Sequence, residues 1–96
     1  MEEELRSAVQ NRLVISYSLL GHSRTGEPHL LGYMDGGLAL ELFQTSGGST
    51  RGGIPEWRTF YISDMSDLAV SNETFVPRSD FNPGRSRWDP IVASVR

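Results

Sequence analysis

The chain has 96 residues, no Cys and a formal net charge of −3, which suits one domain built on one core. Disulfides, thiol chemistry and Cys-ligated zinc are excluded. Three of the twelve acidic residues sit in Glu2, Glu3 and Glu4, and the near-neutral remainder offers no basic stripe for indiscriminate phosphate binding.

All nine basic residues are Arg, a usage that points to a GC-rich bacterial genome. No apolar run is long enough for a membrane span, and the acidic start is unlike a signal peptide, so the expected location is cytoplasmic. Leu5, Ala8, Val9 and Arg12 recur at helical spacing behind the three Glu residues, where negative charge suits the helix dipole; one short amphipathic helix is expected over 2–12. From Leu13 the period becomes two, with Leu13, Ile15 and Tyr17 on one face, which predicts a first strand. The polar stretch 21–26, with Gly21 and Gly26 near its ends, is expected to be an exposed loop, followed by a strand over 28–34.

Asp35-Gly36-Gly37 lies between two apolar runs, so strands 28–34 and 38–44 should form a hairpin. Leu38, Leu40 and Leu42 alternate with Ala39, Glu41 and Phe43, giving one strongly buried face and one mixed face. Residues 45–55 hold four Gly and Pro55 with little apolar surface, and are expected to form a mobile loop. Strands over 56–62 and 67–76 should follow, joined by a short turn at Ser63-Asp64. Together these elements predict a mainly β protein: a small barrel of five or six strands behind one N-terminal helix.

The domain is taken as 1–77 and the remainder, 78–96, as a Pro-, Arg- and aromatic-containing arm. Pro77, Pro83, Gly84 and Pro90 resist regular structure, whereas Phe81 and Trp88 call for docking, and 91–95 can add an edge strand to its own barrel or to a partner's. Apolar residues without local partners imply a homo-oligomer.

Several chemistries find no support. His22 and His29 lack metal-ligand spacing, so no metal or cofactor is expected. There is no Gly-x-Ser-x-Gly elbow, and the glycines at 47–53 precede a strand where a P-loop needs a helix. No catalytic residue is assigned and the chain is not expected to be an enzyme. Arg85-Ser86-Arg87-Trp88 interleaves base and aromatic in the way single strands are held, but it is a lone cluster.

Arg58 shares a strand face with Phe60 and Ile62, so its charge must be paired or kept at a rim. It suits bidentate binding of phosphate or carboxylate, the alternative being an ion pair with Glu27, Glu41 or Glu56. Arg24 offers the same choice from the expected loop. Arg51 and its Gly-rich neighbours could meet a phosphate, and Gln44, closing the third strand, could reach the same cavity.

The order Ala8, Tyr17, Arg24, Pro28, then Arg58-Thr59-Phe60 and Phe75 resembles the WYL domain family of bacteria across about residues 5–81. The resemblance implies an SH3-like or Sm-like barrel whose polar residues bind a nucleotide or single-stranded nucleic acid. It also implies a link to transcriptional regulators, with a partner regulator supplying the DNA-binding helices. Tyr17, Arg24 and Arg58 define the expected pocket, and with Gln44 and Arg51 from the residue reading they make up the candidate ligand site.

Overall fold

The computed structural model describes residues 1–48, 55–85 and 87–95. Helix α1 (Glu2–Asn11) buries Leu5, Ala8 and Val9 and ends at Arg12, whose left-handed φ of 56° brings its N–H to the carbonyls of Ala8 and Val9. This closure satisfies carbonyls that the last helical turn leaves open. The chain reverses directly into β1 (Leu13–Leu19), and the Arg12 carbonyl accepts the Phe75 N–H at 2.9 Å.

Strand β2 (His22–Met34) is longer than the sequence suggested. The stretch expected as an exposed loop at 21–26 is the first half of this strand. It is reached by a two-residue turn at Leu20 and Gly21 with φ of 52° and 78°, closed by the Leu19–His22 pair. Both central residues are left-handed, as in a type I′ turn, whose twist matches that of paired strands. Only Gly21 advertises this turn, since Leu20 is a poor left-handed residue. The hairpin to β3 (Gly37–Gly47) uses the same device at Asp35 and Gly36, with φ of 51° and 82°. Here the expected hairpin is found.

Strand β4 (Glu56–Tyr61) pairs with β3; a 3-10 turn over Ile62–Asp64 then leads to β5 (Ser66–Thr74), which pairs with β1. The sheet order is β4-β3-β2-β1-β5, and β6 (Ile91–Ser94) pairs with β2. All pairings are antiparallel. The protein is therefore mainly β, with one N-terminal helix and six strands. The expected closed barrel is corrected to an open sheet, because β4 and β5 are its two ends and do not pair with one another among the described residues. Extents of 29 × 27 × 25 Å nonetheless require the sheet to curl, and the bulges in its ladders supply the bends,.

One bulge decides where the arm goes. Pro28 pairs with Leu42 and Leu30 with Glu41, leaving His29 as the extra residue on β2. Ahead of this point β2 pairs with β1 through residues 22–26, and beyond it the same strand pairs with β6 through residues 30–32. Pro28 has no N–H to offer a ladder, so the partner changes where the strand cannot donate.

Leu40 and Leu42 are buried as expected, but Ala39 and Glu41 on the alternate face are buried too. The main core joins Leu5, Val9, Ile15, Leu30, Leu31, Leu40 and Leu42. The arm docks on its own chain: Phe81 and Ala93 are buried, and Trp88 is partly buried against the core. Of the apolar residues that argued for a second subunit, Phe81, Trp88 and Val92 pack within the one chain, whereas Ile91 stays 47% exposed.

Candidate functional site

Period-two geometry on three neighbouring strands sends Tyr17 from β1, Arg24 from β2 and Gln44 from β3 to a common point. Tyr17 and Arg24 are paired directly across the first hairpin. The Tyr17 hydroxyl donates to Gln44 Oε1 at 3.4 Å, and Arg24 Nη1 donates to the same oxygen at 3.5 Å. Gln44 Nε2 donates to the carbonyls of Ser46 and Gly48 at 3.4 and 3.3 Å. Its amide therefore has a defined direction, with oxygen toward the cation and nitrogen toward carbonyls.

Arg24 is the unusual member. It was expected in a solvated loop, yet it is 4% exposed. Nη2 donates to the Leu19 carbonyl at 3.0 Å, and the guanidinium lies 5.5 Å from the Phe60 ring centroid. Its Nε is buried with no hydrogen-bond partner, and no carboxylate among the described residues forms an ion pair with it. A buried guanidinium needs acceptors to offset its lost hydration.

Arg58, 6% exposed on β4, reaches Glu56 Oε2 at 3.2 Å. The expected ion pair with Glu56 is therefore found, while Glu27 holds Arg78 through contacts of 2.9 and 3.3 Å. Arg58 still contributes to the site, because both it and Arg24 act on Tyr17. Burial pushes the Tyr17 hydroxyl up to about 12, and the two nearby cations offset only part of this. Tyr17 is thus a neutral donor across the ordinary pH range. Arg51 lies outside the described residues.

A cavity of about 310 Å³ opens beside this cluster, lined by Tyr17 and Arg24 together with Ser16, Ser18, Ser23, Thr25, Ser46, Gly47 and Asp67. Asp67, at the start of the strand expected over 67–76, was given no site role from the sequence. It has φ of 52°, at a point where β5 carries an extra residue between the pairs Ser16–Ala69 and Ser18–Ser66. Bulges of this kind re-aim side chains, and a strained non-Gly residue beside a cavity is a functional signal. Its sequence neighbours, Ser66 and Leu68, gave no hint, since a left-handed Asp follows from the bulge and the bulge from long-range pairing.

The second face holds a different cluster. His29 is fully buried, with ring centroids of Trp57, Phe75 and Phe81 at 4.7, 5.0 and 5.2 Å. Arg78 sits 4.0 Å from the Phe43 ring centroid, and Trp57 Nε1 donates to Asp80 Oδ2 at 3.1 Å. The described residues contain no group of three or more metal-ligating side chains, and no helix among them is long and apolar enough to cross a membrane. Searches against protein-family models, curated proteins and solved structures find no match to this chain.

Proposed function

We propose that this protein is a non-enzymatic ligand-binding or regulatory module that takes an anionic ligand, nucleotide-like or single-stranded nucleic acid, at the Tyr17, Arg24 and Gln44 site. The observation that carries this reading is the buried Arg24 guanidinium, which among the described residues has no carboxylate partner and no acceptor for its Nε, beside an open cavity. A phosphate or carboxylate oxygen would supply the missing acceptor and the missing charge. Tyr17 adds a neutral donor, and Ser18, Ser23 and Ser46 give the cavity polar walls. A helix leading into five strands, with β5 returning beside β1, supports reading the sheet as an incompletely closed SH3-like or Sm-like barrel. The resemblance to WYL domains rests on that reading and on the residue order; a bacterial, cytoplasmic protein acting with a partner regulator would be its setting.

A thermal-shift screen of nucleotides and short single-stranded oligonucleotides on the wild type and Arg24→Met tests the site. A ligand at about 100 times its Kd should stabilise the wild type by about 2.7 kcal/mol, and the variant should not respond. Failure of every anion to shift the wild type would sink the proposal.

A second reading is a structural or interaction protein that assembles through its sheet edges. It is favoured by β5, which is exposed along almost its whole length from Ser66 to Thr74 and, among the described residues, is paired on one side only, an arrangement that invites another strand. Light scattering separates the readings: homo-oligomers at concentrations of about 10 μM, within the range where weak assembly is populated, favour assembly, and a monomer that binds anions favours the module.

A further inference from the structure

We propose that His29 is an acid-sensitive latch that holds the C-terminal arm on the sheet and releases it when the imidazole takes up a second proton. The geometry fixes the state of the ring. The Arg78 backbone N–H, which can only donate, points at His29 Nε2 at 3.1 Å, so Nε2 is the bare acceptor nitrogen,. Nδ1 consequently carries the proton and donates it to the Glu27 carbonyl at 2.8 Å. Both nitrogens are committed, and protonating Nε2 would set one N–H against another inside a fully buried site,.

The contact that fails is the first anchor of the arm. Around it, Arg78 pairs with Glu27, Asp80 accepts from Trp57, and Phe81 is buried against His29 and Trp57. The His29 carbonyl also accepts the Val95 N–H at 3.0 Å, so the same residue holds both ends of the docked segment. Between them, Asp89 N–H donates to the Tyr33 carbonyl at 2.8 Å, and Tyr33 N–H donates to the Pro90 carbonyl at 2.9 Å. The β6 ladder itself is short, with register pairs only at Leu30–Ser94, Leu31–Ala93 and Gly32–Ile91. Release would bare that edge of β2, a row of backbone donors and acceptors able to take another strand.

The charged groups around the imidazole oppose one another. Burial is the largest influence and lowers the His29 pKa; Glu27, through its backbone contact and its charge, and Asp80 raise it, while Arg78 lowers it, leaving it below the ordinary 6.5. The released arm, with a solvated His29, binds more protons than the docked one wherever the pH lies between the depressed value and about 6.5. Docking is therefore fully supported above about 6.5 and weakens by about tenfold for each pH unit below it, until the docked His29 also titrates.

Hydrogen exchange read by mass spectrometry at about pH 7.5 and pH 5, corrected for intrinsic rates, tests the latch in the wild type and in His29→Gln, whose amide oxygen can accept from Arg78 without titrating. The expected result is faster exchange in 78–81 and 88–95 of the wild type at the acid pH, with the variant protected at both. Equal protection of the wild type at both pH values overturns the proposal. So does an acid response in the variant, which would assign the effect to Glu27 or Asp80, and so does simultaneous opening of β3 and β4, which is global unfolding. Should His29→Gln fail to fold, an NMR titration of the wild type decides. A shared midpoint below 6.5 for the His29 ring and the Arg78 amide supports the latch, and an Arg78 amide that ignores the His29 titration contradicts it.

Discussion

A guanidinium taken out of water without a carboxylate is costly, by several kcal/mol after relaxation, and Arg24 recovers part of this from the Leu19 carbonyl, Gln44 and the Phe60 ring. If the remainder is kept for a ligand, removing the charge should help the empty protein. Arg24→Met is expected to raise stability in the absence of ligand by about 1–2 kcal/mol, within the range found when buried charges give way to apolar isosteres, while losing the response to anions. Urea unfolding of both proteins checks it, and a destabilised variant would make Arg24 a structural residue. Leu20 presents a separate residue-scale conflict, being 72% exposed and left-handed at φ 52°. Leu20→Asn puts the residue preferred for this turn in its place and should add about 0.5–1 kcal/mol, raising Tm by a few degrees in a domain of this size. An unchanged or lower Tm would mean that Leu20 makes contacts worth more than the strain.

At the level of elements, the sequence was legible where a period and a terminator agreed. Leu5, Ala8 and Val9 gave the helix, Asp35-Gly36 the second hairpin, and Ile91 to Ser94 a strand in the arm. It misled at 21–26, because His22, Ser23, Arg24 and Thr25 look solvated in a linear reading and become a strand only through pairing with β1 and β3. Placing Arg24 in a loop hid its burial, and with it the strongest feature of the site. The edge chosen by β6 was equally hidden, since it depends on the bulge at His29. Gly32 offers a test of that docking: a Cβ there would come within 2.9 Å of Trp88 Cε3 and 3.0 Å of the Pro90 carbonyl. Gly32→Ala should push the arm away and cost about 1–3 kcal/mol, the usual range for overpacking, with Trp88 fluorescence shifting to the red. A variant with wild-type stability and fluorescence would show that the arm is held elsewhere.

For the molecule as a whole, charge and topology set what the chain can meet. A net charge of −3 and the small size of the cavity beside Arg24, about 310 Å³, argue that any anion taken at the proposed site is small or single-stranded. Long duplex DNA should bind weakly at physiological salt, and any residual affinity should fall steeply as salt rises; sub-micromolar duplex binding that survives physiological salt refutes this. Truncation after Pro77 removes β6, Trp88 and Phe81, whose burial on the order of 1.5–3 kcal/mol for each large apolar side chain is a large share of the stability of a domain this small. The truncated chain should therefore be markedly destabilised, which thermal unfolding will register, and light scattering on the full chain will tell whether the exposed β5 edge recruits a second copy. Whether the buried Arg24 guanidinium takes an anion is read by following arginine Nε–H resonances by NMR while nucleotide is added. The Arg24 Nε–H signal should move downfield and saturate, with Tyr17 ring signals following the same isotherm; an Arg24 signal that stays in place while ligand binds elsewhere, or while nothing binds, rules out anion binding at this site.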